Sequence, residues 1–414
     1  MGHSKRKIRA LIVVIAVGAC AIGWRYWRLS YSEPIFAMTS LTKDMKTLCV
    51  GRILVDLPAS TTWEARASGA RVGNVQVSSQ TGVSREQFEV LKEQRWREIQ
   101  LSKSPTGEEP LHAPERFSPD ADSVIFSYGF ESIEGPDAFG VYGRRVVYDA
   151  QGFKWTNGTL VEFRPQLDGR EQIAGLMGRI RARGRDEIPN QPGLCLDGIF
   201  VAGYYDFSER EEVSWNFDLP FAQSMRVEVT RVSSPATSFF ERDRKSLAEW
   251  ADFIANAVKP GQTYSSHYYR KNERNVGGLV GDEVIGGEVE GQAAHGYSTA
   301  IHGLWEFPGN GPAAPAPKIS ITMGTPTFET TYVPSPAGGF PRPEDTPDGP
   351  LAQDFFEIWD AVIGSVRVRP IALAQPPKVT PPAPRITSEQ AELDRKSLDA
   401  FIAGLPAEDP ERKQ

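Results

Sequence analysis

The stretch Leu48-Cys49-Val50-Gly51, followed by the apolar run Ile53-Leu54-Val55, has a second version later in the chain. That version is Leu194-Cys195-Leu196-Asp197-Gly198, leading into Ile199-Phe200-Val201, with its cysteine 146 residues after the first. Apolar runs of this length, bounded by glycine, are typical of short buried strands. Two such openings in one chain predict two tandem domains of similar fold.

Around these openings, each half shows the same succession of predicted elements. Strand-like runs are followed by a helix, by further strand-like runs and by a closing helix, which indicates two α+β domains of antiparallel sheets with packed helices. The stretch Pro189-Asn190-Gln191-Pro192-Gly193 breaks the chain between them. We therefore expect an N-terminal domain over residues 47–190 and a C-terminal domain over residues 194–370.

Local signals place the individual helices and strands. Ser84-Arg85-Glu86-Gln87 is a capping box, which begins a helix that ends near Leu101. A second helix is predicted over about residues 170–183, because Ile173, Leu176, Met177 and Ile180 form one apolar stripe. The sequence also predicts helices around Trp250 and over Leu351–Ser365, and single strands over Val50–Leu57 and over Arg71–Gln80.

The first 29 residues have the pattern of a membrane-targeting segment. A basic cluster, residues 5–9, precedes an apolar run from Ala10 to Trp24, and aromatic residues with interleaved arginines follow it. We expect an uncleaved inner-membrane helix over residues 1–29, a polar stalk over 30–46, and export of the remainder to the periplasm. A cleaved signal peptide and a lipoprotein acylated at Cys20 are the alternatives, and both also export the chain.

The exported part is acidic. The whole chain has a formal charge of −7, and residues 1–28 carry six Lys or Arg and no acid, so the remainder is formally −13. Such a surface is not expected to bind nucleic acid or anionic headgroups through bulk charge, whereas it attracts a basic protein. The simpler interpretation is that the acidity keeps the domain soluble.

Cys49 and Cys195 are the only cysteines outside the targeting segment. Exported cysteines are expected to oxidise, and the matched positions of these two favour a disulfide between the domains. The sequence alone leaves two buried free thiols as the alternative, because it does not show that the two residues meet.

No catalytic or metal-binding constellation is recognisable in the sequence. It contains no phosphate-binding loop, no dinucleotide fingerprint, no His-Glu-x-x-His and no Cys-x-x-Cys, so we expect no metal and no cofactor. Gly296-Tyr297-Ser298-Thr299-Ala300 approaches a nucleophile elbow, but its flanking segments lack the required strand and helix. An envelope hydrolase using Ser298, and a structural or ligand-binding envelope module, are the alternatives to a non-enzymatic binding protein.

The segment Trp305-Glu306-Phe307-Pro308-Gly309-Asn310 ends a predicted strand and begins a Pro- and Gly-rich insert, residues 308–317. Aromatic residues at a loop entrance can anchor a partner. The candidate partner-binding residues are therefore Trp305, Glu306, Phe307, Gly309 and Asn310, and the alternative is that the two rings close the end of a core. A second insert, 334–350, and a Pro-rich tail, 371–414, which we expect to be disordered, complete the chain.

Four segments carry a resemblance to a known family. They are Lys46–Pro58, Gly193–Gly198, Leu304–Gly309 and Trp359–Pro370. In their order and spacing they resemble the immunity proteins that are paired with type VI secretion lipase effectors, and the similarity covers about residues 46–370. The tail and the insert 334–350 depart from the family pattern.

The resemblance implies a two-domain α+β protein of the periplasm. Such proteins grip a phospholipase effector like a clamp, keep its lid from opening at the membrane, and have no catalytic residues. The expected partner is therefore a secreted lipase, and recognition is expected to use loops at the cleft between the two domains.

Overall fold

The structure, a computed structural model, describes residues 40–63, 69–101, 112–136, 142–165, 169–205, 209–234, 236–242, 263–292, 296–310, 315–330 and 349–375. The predicted anchor, the stalk up to residue 39, the helix predicted around Trp250, most of the insert 334–350 and the tail beyond residue 375 lie outside these ranges. Among the described residues, no helix has the length and apolar character needed to cross a membrane.

The first half contains ten strands and two helices in the described residues. They are β1 (Met45–Val50), β2 (Ile53–Pro58), β3 (Thr62–Trp63), β4 (Gly69–Val72), β5 (Val75–Thr81), α1 (Arg85–Leu101), β6 (Glu115–Phe117), β7 (Ser123–Pro136), β8 (Tyr142–Thr156), β9 (Thr159–Pro165), α2 (Arg170–Met177) and β10 (Ile180–Ala182).

The second half follows with ten strands and one helix in the part of it that the structure describes. They are β11 (Gly193–Leu196), β12 (Ile199–Ala202), β13 (Glu211–Asp218), β14 (Ser224–Thr230), β15 (Thr263–Val276), β16 (Leu279–Gln292), β17 (Gly296–Phe307), β18 (Lys318–Gly324), β19 (Phe328–Thr330), α3 (Gly349–Ser365) and β20 (Arg367–Val368).

A single antiparallel sheet of 14 strands runs through both halves. The first half contributes the order β6-β7-β8-β9-β5-β4 and the second the order β15-β16-β17-β18-β14-β13, while β3 and β19 pair at the side. β4 pairs with β13 at the centre, so the same six-strand topology continues outward on both sides of this contact. The repeat of the cysteine-containing stretches is therefore a repeat of topology, in a mostly antiparallel fold with few helices.

The helices α1 and α2 cover opposite faces of this sheet. Successive side chains of a strand point to opposite faces, and Phe126 of β7 packs under α1 with Phe88, whereas Ile125 packs in the main core with Ile173 of α2. Each fully buried phenylalanine stabilises the fold by about 1.5–3 kcal/mol relative to an exposed one. The main core therefore lies on the α2 face, and a smaller core lies beneath α1.

The capping box begins α1 as predicted. The Ser84 Oγ accepts a hydrogen bond from the Gln87 amide at 3.2 Å, and the Gln87 Oε1 accepts one from the Ser84 amide at 2.8 Å. These reciprocal bonds satisfy two amides that have no partner within the helix. The prediction for α3 is also confirmed, because the helix Gly349–Ser365 includes the whole predicted range.

Three predicted boundaries are wrong, because a turn or a tertiary pairing interrupts the local pattern. Val50–Leu57 is two strands, since Gly51 adopts φ +57 in a two-residue hairpin turn. Arg71–Gln80 is likewise split at Gly73, φ +59, into β4 and β5. The helix predicted to residue 183 ends at Met177, because residues 180–182 form β10 and pair with β12.

Two hairpins, β1–β2 and β11–β12, stand apart from the large sheet. β20 pairs with β2 and β10 pairs with β12, so the short strand that follows each closing helix completes one hairpin. The hairpin near the start of the described chain is thus completed by a segment near its end. Arg367 of β20 donates to Thr47 and Asp56 of the first hairpin, so residues more than 300 positions apart in the sequence are in contact.

Candidate functional site

The two hairpins are joined by the predicted disulfide. Cys49 of β1 and Cys195 of β11 are bonded, with their Cα atoms 5.7 Å apart. The amide of Gly51 donates to the carbonyl of Cys195 at 2.9 Å, and the amide of Cys195 donates back to the carbonyl of Gly51 at 2.8 Å. Leu54 and Phe200 shield the bond in a small apolar cluster. Covalent and backbone bonds therefore hold the two halves at one point.

A buried arginine occupies the turn of the first hairpin. Arg52 is 1% exposed, and its Nε and Nη2 donate to the carboxylate of Glu211 at 2.7 and 2.6 Å. The same guanidinium donates to the carbonyl oxygens of Ala372 and Tyr204. Bidentate geometry of this kind positions both partners as well as pairing their charges. Arg52 thereby connects the first hairpin, the start of β13 and the end of the described chain.

A second buried arginine holds the segment predicted to separate the domains. Arg369 donates to the carbonyl oxygens of Pro189, Gln191 and Gly193 at 2.6–2.8 Å. Burial lowers the pKa of Arg369 to about 10, with repulsion from Arg52 adding to the effect, so the guanidinium remains charged at neutral pH. The Pro-rich segment between the halves is therefore held in place. We call the contact between the halves the seam; it comprises the two disulfide-linked hairpins, the Arg52–Glu211 pair and Arg369.

The centre of the sheet is open on the face opposite the main core. There, β5, β4, β13 and β14 form a shallow depression of about 440 Å³ where the two halves meet. Its polar lining includes Arg71, Gln76, Glu212, Ser214, Arg226 and Glu228. These side chains remain partly exposed and pair with one another: Arg226 lies 2.5 Å from Glu228 and donates to the Ser214 Oγ at 3.0 Å, and the Arg71 Nε–Glu212 Oε2 distance is 3.9 Å. A surface of this kind suits contact with a polar protein face.

A larger groove lies on the same face, between α1 and strands β7–β9. Its volume is about 870 Å³, and Val90 of α1 projects into the solvent there with 64% of its surface exposed. Arg95 lies in the groove and donates to Gln151 Oε1 at 2.7 Å and to Tyr128 Oη at 3.2 Å. The groove therefore combines apolar surface with a fixed polar network, which is the usual composition of a protein-binding surface.

The predicted partner-binding residues are mostly interior. Trp305, Glu306, Phe307 and Gly309 are buried, and of the five only Asn310 is exposed. Glu306 is paired with Arg242 at 2.5 Å and with Lys318 at 2.9 Å. The Asn310 amide donates to the Ala316 carbonyl at 3.1 Å, which closes the base of the insert 308–317. The two aromatic rings thus belong to the core, and Asn310 marks the surface of this loop.

Ser298 lies within a regular strand. It is in β17, opposite Glu290 on one side and Glu329 on the other, so the strand-to-helix turn of a nucleophile elbow is absent there. His302 is four residues further along the same strand, a separation of about 13 Å, which is beyond hydrogen-bond reach. Within the described ranges, no group of three or more His, Cys, Asp or Glu side chains is placed to hold a metal.

Sequence reasoning did not identify Arg52, Arg369 or Glu211 as a group. The available signal was the position of Arg52 between Gly51 and the apolar strand Ile53-Leu54-Val55, where a charged residue interrupts an otherwise buried stretch. Charged residues are rarely fully buried unless they are paired. The partner of Arg52 is 159 residues away, so local sequence could indicate only that a partner exists.

Comparisons with known proteins agree with this architecture. The N-terminal domain model of Tle cognate immunity protein 4 matches residues 46–143, and its C-terminal domain model matches residues 187–371. No curated protein sequence matches the chain.

Among solved structures, a chain of the Tle4–Tli4 complex is similar, with a TM-score of 0.56 and 17% identity, over 80% of this chain and 99% of that one. The apo immunity protein TplEi of the type VI secretion system of Pseudomonas aeruginosa gives a TM-score of 0.52 at 17% identity, over 79% and 97%. TplEi bound to the "L" peptide gives 0.51 at 17%, over 80% and 99%. At this identity the structures show a shared fold.

The two domain models match in chain order and together cover more than half of the sequence. The C-terminal model begins at residue 187, just before the Pro-rich segment that Arg369 holds, and each model contains one hairpin of the disulfide-linked pair. The chain therefore belongs to the Tle cognate immunity protein 4 family, the immunity proteins of type VI secretion lipase effectors.

Proposed function

We propose that this chain binds a type VI secreted phospholipase in the periplasm and inhibits it, which protects the producing cell and its kin. The observation that carries the proposal is the match of both immunity domains, in order, on one intact fold. The Tle4–Tli4 complex, whose chain shares this fold, supports direct binding as the mode of action.

The contact surface that we propose is the open face of the sheet. It offers the central depression and the groove along α1, and a stable complex of standard size buries about 1,600 Å² in total. Asn310 is a second proposed contact. Of the five partner-binding residues predicted from the sequence, it is the exposed one. The rigid seam fixes the relative position of the two halves, so little ordering is required when the partner binds.

The purified full chain is expected to abolish the activity of its cognate phospholipase at about one equivalent. The reason is that the tightest inhibitory complexes of this size are preorganised and bind at nanomolar affinity or better. Phospholipase activity is measured on mixed micelles as the chain is titrated against the cognate phospholipase. The Ser298→Ala variant serves as the matched control and should inhibit equally, because the hydroxyl lies within a strand.

Two results would contradict this proposal. One is inhibition that is still incomplete well above one equivalent of added chain, which would indicate weak or indirect action. The other is esterase turnover by the chain alone that disappears in Ser298→Ala, which would instead support the envelope hydrolase.

We also propose that residues 1–29 tether the protein to the inner membrane. The basic flank and the aromatic and arginine residues after the apolar run support an uncleaved helix. Fractionated cells are expected to retain the full-length chain in the inner membrane, with the native N-terminus found by Edman sequencing. A mature form that begins after residue 24 and is recovered with the soluble periplasm would show that the segment is a cleaved signal.

A further inference from the structure

The turn that joins β13 to β14 has an unusual conformation. Phe221 adopts φ 60 and ψ 35, in the left-handed region, and its side chain is 51% exposed. Leu219 and Gln223 on either side of it are buried. The turn thus anchors its ends in the core and presents one aromatic ring to solvent.

Neither local geometry nor packing accounts for a phenylalanine at this position. In the left-handed region the Cβ atom crowds the following carbonyl oxygen, so a bulky residue there is a true outlier and glycine is favoured. A half-exposed ring also leaves much of its apolar surface in water, so Phe221 gains only about half of the stabilisation that full burial would give. The sequence therefore keeps a residue that is unfavourable for the isolated protein.

A second unfavourable feature lies two residues away. The side-chain Oε1 and Nε2 of Gln223 are both buried, and neither has a hydrogen-bond partner. Buried amide groups are nearly always paired, because leaving one unpaired costs its full desolvation. Two such departures within five residues are expected where function, rather than stability, selects the local sequence.

We propose that Phe221 is an aromatic anchor that inserts into an apolar pocket on the lipase effector. This inference rests on the proposed function and names one contact of it. Aromatic residues, phenylalanine among them, are enriched in protein interfaces, where a polar rim surrounds them. Asp218 and Ser224, the last residues paired before the turn, are both exposed and supply that rim.

The position of the turn agrees with this role. Arg226 and Ser214, which line the central depression, lie on the same two strands, and Arg226 is two residues from the Ser224–Asp218 pair. Phe221 therefore continues the proposed contact surface to one end of the sheet. The left-handed backbone sets the direction of the Phe221 Cα–Cβ bond before the partner arrives, which reduces the backbone entropy lost on binding.

The test compares full-length Phe221→Gly and Phe221→Tyr with the wild type. Affinity for the purified cognate lipase is measured by calorimetry, and the melting temperature is measured without partner. We expect Phe221→Gly to weaken Kd at least tenfold and to raise Tm by about 1–2 °C, because glycine relieves the strain. Phe221→Tyr keeps the ring and should retain the wild-type Kd.

Phe117 provides the matched control. It is 49% exposed on β6, at the edge of the sheet, with an extended backbone. Phe117→Gly is expected to leave Kd unchanged and to lower Tm, since glycine weakens a strand. Opposite signs of the two Tm shifts would therefore separate a binding role from a packing role.

Three outcomes would overturn the inference. A fall of Tm in Phe221→Gly would assign the ring to packing, and an unchanged Kd would remove it from the interface. Loss of binding to phosphatidylethanolamine vesicles with unchanged lipase affinity would assign it to a lipid surface. The proposed function is tested separately: it is refuted if the wild-type chain does not bind the lipase, whatever the Phe221 variants do.

Discussion

Replacing Cys49 and Cys195 together by alanine is expected to lower the free energy of unfolding by up to about 5 kcal/mol. The disulfide closes a loop with a sequence separation of 146, and the chain-entropy model assigns this loss to the larger freedom of the unfolded chain. Both side chains are at most 1% exposed, and alanine is apolar, so the substitution places no polar group in the core. Urea unfolding of the full chain, oxidised wild type against double variant, measures the difference.

Reduction of the wild type provides the control for this prediction. Unfolding the wild-type protein in dithiothreitol should reproduce most of the loss, because the same covalent link is removed without a change of sequence. Non-reducing mass spectrometry of protein from the periplasm should show the Cys49–Cys195 link. Equal unfolding midpoints for oxidised and reduced wild type would contradict the prediction, and two free thiols in the periplasmic protein would refute the disulfide.

Arg52→Met is expected to cost about 3–5 kcal/mol, as is typical when one partner of a buried ion pair is removed. The side chains of Arg52 and Glu211 are 1% and 3% exposed, so the substitution leaves a buried carboxylate without its cation. The carbonyl oxygens of Ala372 and Tyr204 also lose a donor. The double variant with Glu211→Leu should recover part of the loss, because no unpaired charge remains.

Arg170→Met is the matched control for this experiment. Arg170 pairs with Glu115 at 2.8 Å, but both side chains are about half exposed, and such surface pairs contribute about 0–1 kcal/mol. Chemical denaturation at neutral pH measures all three variants. An Arg52→Met variant that is no less stable than Arg170→Met would show that the seam does not depend on the buried pair.

Local signals in the sequence were sufficient where one element acts alone. The capping box began α1 at Arg85, because its two hydrogen bonds join residues three apart. The apolar pattern of α3 was recognised for the same reason, since a helix buries one stripe wherever it packs. The matched cysteine stretches likewise predicted a repeat, and their matched positions favoured the disulfide that the structure contains.

The same reasoning failed where long-range pairing competed with a local pattern. Ile180 fits the apolar stripe of a helix, but it pairs with Val201 in a strand ladder, which ends α2 at Met177. Trp305 and Phe307 beside a Pro-rich insert suggested a partner site, whereas the sheet and Trp359 bring them into the core. No local signal distinguishes these outcomes, because the residues that decide them are distant in the chain.

By itself, the sequence determined the family resemblance, the repeat, most of the described helices and the absence of recognisable catalytic motifs, because these depend on residue types, spacing and local hydrogen bonds. It favoured a disulfide, and the structure showed that Cys49 and Cys195 meet. Only the tertiary structure decided that β4 and β13 join both halves in one sheet, that Arg52 pairs with Glu211, and that Phe221 is left exposed. The physical reason is that burial and charge pairing depend on which distant segments meet. A sequence shows that a charge or a ring needs a partner, and the fold selects which one it receives.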